Sequence, residues 1–281
     1  MNCMGLQAQH SVAQDWNEML LEAIRNDFAR PTVHARNLYH HSIIVHDAWA
    51  AFDPSKDTYF LGKTITGYNC DFDGINIPLE VENARHEAIS HASFHFIKSR
   101  YQFSPDFDDT FILIYNYMVD HGYNTNNNNV DYQNGGPAEL GNYLARQILI
   151  YGGIDGSNEP SYSSLFYNPV NPPLVMTEAG NPNIFDPNRW QALTLDSTID
   201  QSGNIVENTT PFVTPEWGKV APFALTPEMS NIHFSNGGFF TVYFDTLTPA
   251  FLNSENTASW ESFYKWNHAL VSIWQSHLDP N

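Results

Sequence analysis

The feature that most constrains this chain is the stretch from Trp16 to Pro54, WNEMLLEAIRNDFARPTVHARNLYHHSIIVHDAWAAFDP. Trp16, Leu20, Ile24 and Phe28 recur at helical spacing. Val33, Asn37, His41, Val45, Ala48, Trp49 and Phe52 do so again beyond a break. Pro31 makes that break: it stops one helix and suits the first turn of the next, where its missing N–H costs nothing. Thr32 adds a local hydroxyl near the same start, and Asp53-Pro54 closes the unit because a residue before proline is pushed out of the helical region. Arg25, Arg30 and Arg36 crowd the junction, with Asp15, Glu18, Glu22 and Asp27 nearby, in a chain with only 12 Lys and Arg. That concentration reads as structural, the Arg30 to Arg36 cluster pairing with the acidic first helix.

Further helices follow the same logic. One is expected from Leu79 to about Arg100 with Val81, Ala84, Ala88, Ala92 and Phe96 inward. A fourth should open at Ser104-Pro105-Asp106, with Ser104 as N-cap and Phe107, Phe111, Ile114, Tyr115 and Met118 as its stripe. Gly136-Pro137 should start a fifth, with Leu140, Leu144 and Ile148 inward and Gly152-Gly153 at its end. From Ile154 to about Leu225 nine prolines forbid long helices. The aromatics Tyr162, Phe166, Tyr167, Phe185, Trp190, Phe212, Trp217 and Phe223 suggest that this stretch lies against something. Gly238 to Leu247 is an apolar run of undecided type. Ser254 to Leu278 reads as a long helix carrying Trp260, Phe263, Asn267, Leu270 and Trp274 on one face. The expected fold is therefore mainly α: a helical bundle with a long proline-rich irregular segment at 154–225, within one domain at 11–281.

Charge excludes some partners. The formal net charge is −19, which repels nucleic acid and anionic membranes. No apolar run approaches the roughly 20 residues that span a bilayer. Cys3 and Cys70 are too few for a disulfide framework. Residues 1–10, MNCMGLQAQH, read either as the small-residue end of an export signal, implying a secreted or periplasmic protein, or as a disordered N-terminus.

Three groupings carry possible chemistry. Glu87, His91 and His95 stand four apart, so they share a helix face as metal ligands do; His86 or Asp47 could complete the set. Asn69, Asp71, Asp73, Gly74 and Glu80 match the spacing of a calcium loop, although Asn69 replaces the usual aspartate and no entering helix precedes it. His40, His41, His46 and Asp47 lie on the second helix, His41 on its apolar face as a hydrogen-bonded core residue. No nucleophile elbow or glycine-rich phosphate loop occurs.

Arg30-Pro31-Thr32-Val33-His34-Ala35-Arg36-Asn37-Leu38 and Asp47-Ala48-Trp49-Ala50-Ala51-Phe52-Asp53-Pro54 resemble the start of the bacterial vanadium-dependent haloperoxidase-related proteins, relatives of the type 2 acid phosphatases. Arg189-Trp190-Gln191-Ala192-Leu193, Thr214-Pro215-Glu216-Trp217-Gly218 and Trp274-Gln275-Ser276-His277-Leu278-Asp279-Pro280 are similar too. The resemblance implies the N-terminal helical half of such a protein. It also implies a family reaction, halide oxidation by peroxide at bound vanadate or phosphate-ester hydrolysis, housed elsewhere. The family holds its oxyanion with a Pro-Ser-Gly-His type stretch plus further Arg and His. Here no glycine directly precedes a histidine. The expectation is therefore no catalytic, cofactor-binding or metal residue in this chain, with vanadate only in the full-length family and a missing C-terminal half or second subunit as partner. Two alternatives stand beside it: a stand-alone metal-binding hydrolase built on Glu87, His91 and His95, and a secreted binding module using the aromatic-rich 154–225 segment.

Overall fold

In the computed structural model of this chain, Pro31 divides two helices as its sequence requires: α1 spans Val12–Arg25 and α2 spans Pro31–Ala50. The structure describes residues 11–159, 169–175, 183–199, 203, 205–209, 214, 217–235, 238–242 and 262–278. Ser11 caps α1, its hydroxyl accepting from the Gln14 N–H at 3.2 Å. The remaining helices are α3 (Val81–Tyr101), α4 (Phe107–Asp120), α5 (Pro137–Gly152) and α6 (Phe263–Ser276), so the fold is mainly α. The strands are short: β1 (Thr64–Ile65), β2 (Tyr68–Asn69), β3 (Leu174–Val175), β4 (Leu193–Ile199), β5 (Ile205–Thr209), β6 (Asn231–Ser235) and β7 (Gly238–Val242).

Contacts divide the chain into two compact units. The first comprises Met1–Tyr162, Thr198–Val206 and Lys219–Phe223. Within it α3 is the central helix, packed by α1, α2, α4 and α5. Its core gathers Trp16, Leu20, Ile44, Phe60, Phe96, Ile97, Leu140, Leu144 and Ile148, all fully enclosed. The α3–α5 seam is tight because of Gly141: a Cβ there would lie 2.3 Å from the Ala88 carbonyl oxygen. Glu139 reaches back to the Gly136 N–H at 2.7 Å, satisfying a donor that the start of α5 would otherwise leave open. Cys70 is buried and free, and burial pushes its thiol up to about 12, which removes it as a nucleophile.

The second unit comprises Ser163–Ser197, Glu207–Gly218 and Ala224–Asn281. Here Asn171, almost wholly buried, pins a turn: its amide donates to the carbonyls of Asp186 at 2.8 Å and Arg189 at 2.9 Å. Its side-chain oxygen accepts from the N–H groups of Phe185 and Asp186. That turn feeds β4, which pairs in parallel with β3, Leu174 against Leu193. β6 and β7 form an antiparallel pair, Asn231 against Val242, which decides the type of the 238–247 run as far as Val242. No helix among the described residues is long and apolar enough to cross a membrane.

Several expectations need correction. Phe28 lies beyond α1 and is exposed, with the Arg30 guanidinium over its ring at 5.4 Å. Ser104 does not cap α4, whose N-cap is Asp106; its hydroxyl donates instead to Asp27 Oδ1 at 2.9 Å, because a buried carboxylate is the stronger acceptor. Tyr115 faces outward rather than joining the α4 stripe. Within the 154–225 segment the described residues include β3, β4, β5 and a 3-10 turn at Trp217–Lys219, which give its backbone partners. Residues 1–10, Tyr162, Phe166, Tyr167, Phe212, Pro215, Glu216, Ser254 to Trp260 and Asp279-Pro280 lie outside the described residues.

Candidate functional site

Arg30 and Arg36, close in sequence, enter two separate structures. Arg30 clamps Asp27 with one terminal nitrogen at 2.9 and 2.7 Å from the two carboxylate oxygens. Asp27 also receives Ser104, so the knot ties the end of α1, the start of α2 and the α3–α4 turn. The expected pairing holds there. Arg36 does otherwise: it is buried, and its Nε donates to Asp155 Oδ2 at 2.5 Å. Its Nη2 donates to the Gly152 carbonyl at 2.8 Å and to Glu159 Oε2 at 2.9 Å. The acidic first helix is not its partner, because α2 turns that face toward the end of α5.

Arg100 joins the same network from α3. Its Nε lies 2.7 Å from Glu159 Oε1, its Nη1 donates to Asn37 Oδ1 at 2.9 Å, and its Nη2 donates to His40 Nδ1 at 3.0 Å. An arginine can only donate, so His40 accepts at Nδ1 and carries its proton on Nε2, 3.5 Å from Asp155 Oδ2. Burial, then Arg100 and Arg36, hold the His40 imidazole well below its ordinary value. Two cations face two carboxylates, with a neutral histidine between them. Gly152 gives the two arginines room at the centre: a Cβ would lie 2.3 Å from Arg100 Nη2 and 2.6 Å from Arg36 Nη2, so both guanidinium groups would have to shift.

On α3, the Glu87–His91–His95 face does not close as a metal centre. His91 is buried with Nδ1 3.2 Å from Asn142 Oδ1, while His95 turns its Nε2 to the Asn127 carbonyl at 3.1 Å. One nitrogen of each ring is thus taken by the asparagine-rich loop or α5, His91 Nε2 has no partner among the described residues, and the two centroids lie 6.3 Å apart. Burial lowers both histidines, His95 to about 4, and burial followed by Glu139 raises Glu87. His86 is exposed. Among the described residues no group of three or more His, Cys, Asp or Glu side chains is placed to hold a metal ion. His95 opens instead on a cleft of about 690 Å³ shared with Lys98, Asn128 and Arg146.

The calcium-loop residues start at the end of the β1–β2 hairpin and take separate partners. Asn69 pairs opposite Thr64, whose hydroxyl donates to Asn69 Oδ1, and the Asn69 amide bonds Asp71. Asp73 accepts from Gln133 at 2.9 Å, and Glu80 is the N-cap residue of α3. Gly74 has a positive φ of 89°.

His41 is the core histidine expected: wholly buried, Nε2 3.0 Å from Ser93 Oγ, and lowered to about 3 by burial. What the sequence did not disclose is Asp47. Its Oδ1 accepts from the Tyr59 N–H at 2.7 Å, and its Oδ2 from the N–H groups of Phe60 and Leu61 at 2.7 and 2.8 Å. Oδ1 also receives His46 Nδ1 at 2.8 Å. Asp47 thus anchors the loop at Tyr59–Leu61 and holds His46. The neighbouring Trp49 lies under the Arg85 guanidinium at 4.1 Å. A signal for the pair was present as adjacent His-Asp near a helix end, but its loop partners are backbone groups without a sequence signature.

In the second unit α6 has no buried residue. Phe263 (76% exposed), Trp266, Ile273 and Trp274 (69%) fall on one face of it, and Tyr264 donates to the Pro187 carbonyl at 2.8 Å.

Compared with solved structures, the chain is similar to a holo-type bacterial vanadium-dependent chloroperoxidase, with a TM-score of 0.46 and 17% identity over 67% of this chain and 38% of that one. It is similar to the apo-type bacterial vanadium-dependent chloroperoxidase with a TM-score of 0.42 and 17% identity, over 65% of this chain and 38% of that one. The chain therefore matches well under half the length of either. No family model matches it, and no curated protein sequence does.

Proposed function

We propose that this chain is the N-terminal helical region of a vanadium haloperoxidase-like protein and that it binds no vanadate by itself. The residues of the resemblance support the first part: Arg30 to Leu38 and Asp47 to Pro54 serve the helix junction and its loop anchor. The observation that carries the second is the engagement of Arg36 and Arg100. Their donors are spent on Asp155, Glu159, Asn37, His40 and the Gly152 carbonyl, so an oxyanion would have to displace the buried Asp155 and the partly buried Glu159. A cradle for vanadate needs several donors converging on one open point. The apolar face of α6 suits a companion, either a further segment or a second chain, because exposed patches carrying two tryptophans mark interaction surfaces.

The test is direct. The purified chain is incubated with vanadate, bromide and peroxide, and bromination of a test dye is followed. The expected result is no turnover above vanadate in buffer. Turnover by the isolated chain overturns the proposal.

A further inference from the structure

His46 and Asp47 stand beside a small cavity that the reading above leaves unused. The cavity measures about 400 Å³ and is lined by Tyr39, Ser42, Ile43, His46, Tyr59 and Phe223. That volume falls in the lower part of the range of roughly 300–1,000 Å³ typical of small-molecule sites. Three rings wall it: Tyr39 lies 5.0 Å from Phe223 and 6.3 Å from Tyr59, and Tyr59 lies 6.2 Å from Phe223, centroid to centroid. Phe223 is brought there by the Lys219–Phe223 segment of the same unit, where the Ala221 N–H donates to the Asp155 carbonyl at 2.9 Å.

The polar atoms at this cavity are acceptors. Asp47 accepts from His46 Nδ1 and is itself fixed by three backbone N–H groups, so the neutral imidazole is held in the tautomer whose acceptor is Nε2. The Tyr59 hydroxyl donates to the Phe223 carbonyl at 3.4 Å, so in the Tyr39–Tyr59 pair, 2.9 Å apart, Tyr39 is the donor. The remaining lone pairs of Tyr39 then also seek a donor. A pocket with aromatic walls and unfilled acceptors selects an aromatic molecule that brings one hydroxyl. We infer that the Tyr39–His46–Tyr59–Phe223 cavity binds a small phenol, its ring among the three aromatic walls and its hydroxyl donating to His46 Nε2.

The experiment titrates 4-nitrophenol, whose absorbance reports its hydrogen bonding, into the full chain, with nitrobenzene as the ring lacking a hydroxyl. Saturable one-to-one binding of 4-nitrophenol is expected, with nitrobenzene at least about tenfold weaker, as one hydrogen bond is worth. His46→Gln should cost a similar factor while leaving the thermal midpoint in place, since His46 is half exposed. Phe223→Ala, also at an exposed side chain, should weaken both compounds alike. Absence of saturable binding overturns the inference. So does binding that is unchanged in both His46→Gln and Phe223→Ala, or equal affinity for the two compounds in the wild-type chain.

Discussion

Arg36 Nε and Asp155 Oδ2 are 2.5 Å apart, joining residues 119 positions distant in the chain. Both side chains are buried, so the pair is stable only as a pair. Removing one partner leaves an uncompensated charge where water cannot reach it. Arg36→Met is therefore expected to destabilise the first unit by about 3–5 kcal/mol. Urea denaturation followed by circular dichroism checks this. A loss within the range of a surface substitution would show that the network carries little.

The α3–α5 seam gives a second expectation. A methyl group at Gly141 would collide with backbone at Ala88 rather than with a side chain that could swing away. Gly141→Ala should cost at least about 1–3 kcal/mol, despite alanine's better helix propensity. The same substitution at Gly67, where a Cβ would meet nothing within 4 Å, separates this steric cost from the separate strain of its positive φ of 83°.

Buried neutral histidine makes the fold acid-sensitive. In the folded chain His41 titrates at about 3, against an ordinary 6.5. Between those values the unfolded chain binds a proton that the folded chain refuses. Stability is thus complete above about pH 6.5 and falls as pH falls toward 3, by up to about 1.4 kcal/mol per pH unit for this one group. His41 Nδ1 has no partner among the described residues, so a second N–H there would go unpaired. His41→Asn should lower stability at neutral pH yet flatten its decline between pH 6.5 and 5. Denaturation midpoints at several pH values measure both.

Much of the first unit was legible because its signals are local. Pro31 and Pro137 sit at first helical turns, Gly153 at a helix end, and the inward stripes of α1, α3 and α5 follow residue spacing. What was not legible is long-range. Nothing near Arg36 in the sequence points to Asp155 and Glu159 rather than to α1. Asp47 carries no mark of the loop N–H groups it holds. Ser104 has the chemistry of a cap, and only the packing of Asp27 beside it redirects its hydroxyl. The histidine face of α3 had correct spacing for a metal, but spacing cannot tell that Asn142 and Asn127 each take one nitrogen of those rings.

The bare face of α6 predicts association. Trp266 and Trp274 are 51% and 69% exposed, so replacing both with Gln removes apolar surface without touching a core. Binding of a hydrophobic dye and self-association by sedimentation should both drop, with the unfolding midpoint within the small range of surface changes. Unchanged dye binding would locate the exposed apolar surface elsewhere.

The central claim is that Arg36 and Arg100 are spent on Asp155 and Glu159 and leave no cradle for an oxyanion. Vanadium NMR of vanadate titrated into the purified chain addresses it most directly. The account predicts only the free-vanadate signals at every protein concentration. A new protein-bound resonance that saturates at one vanadate per chain would contradict it.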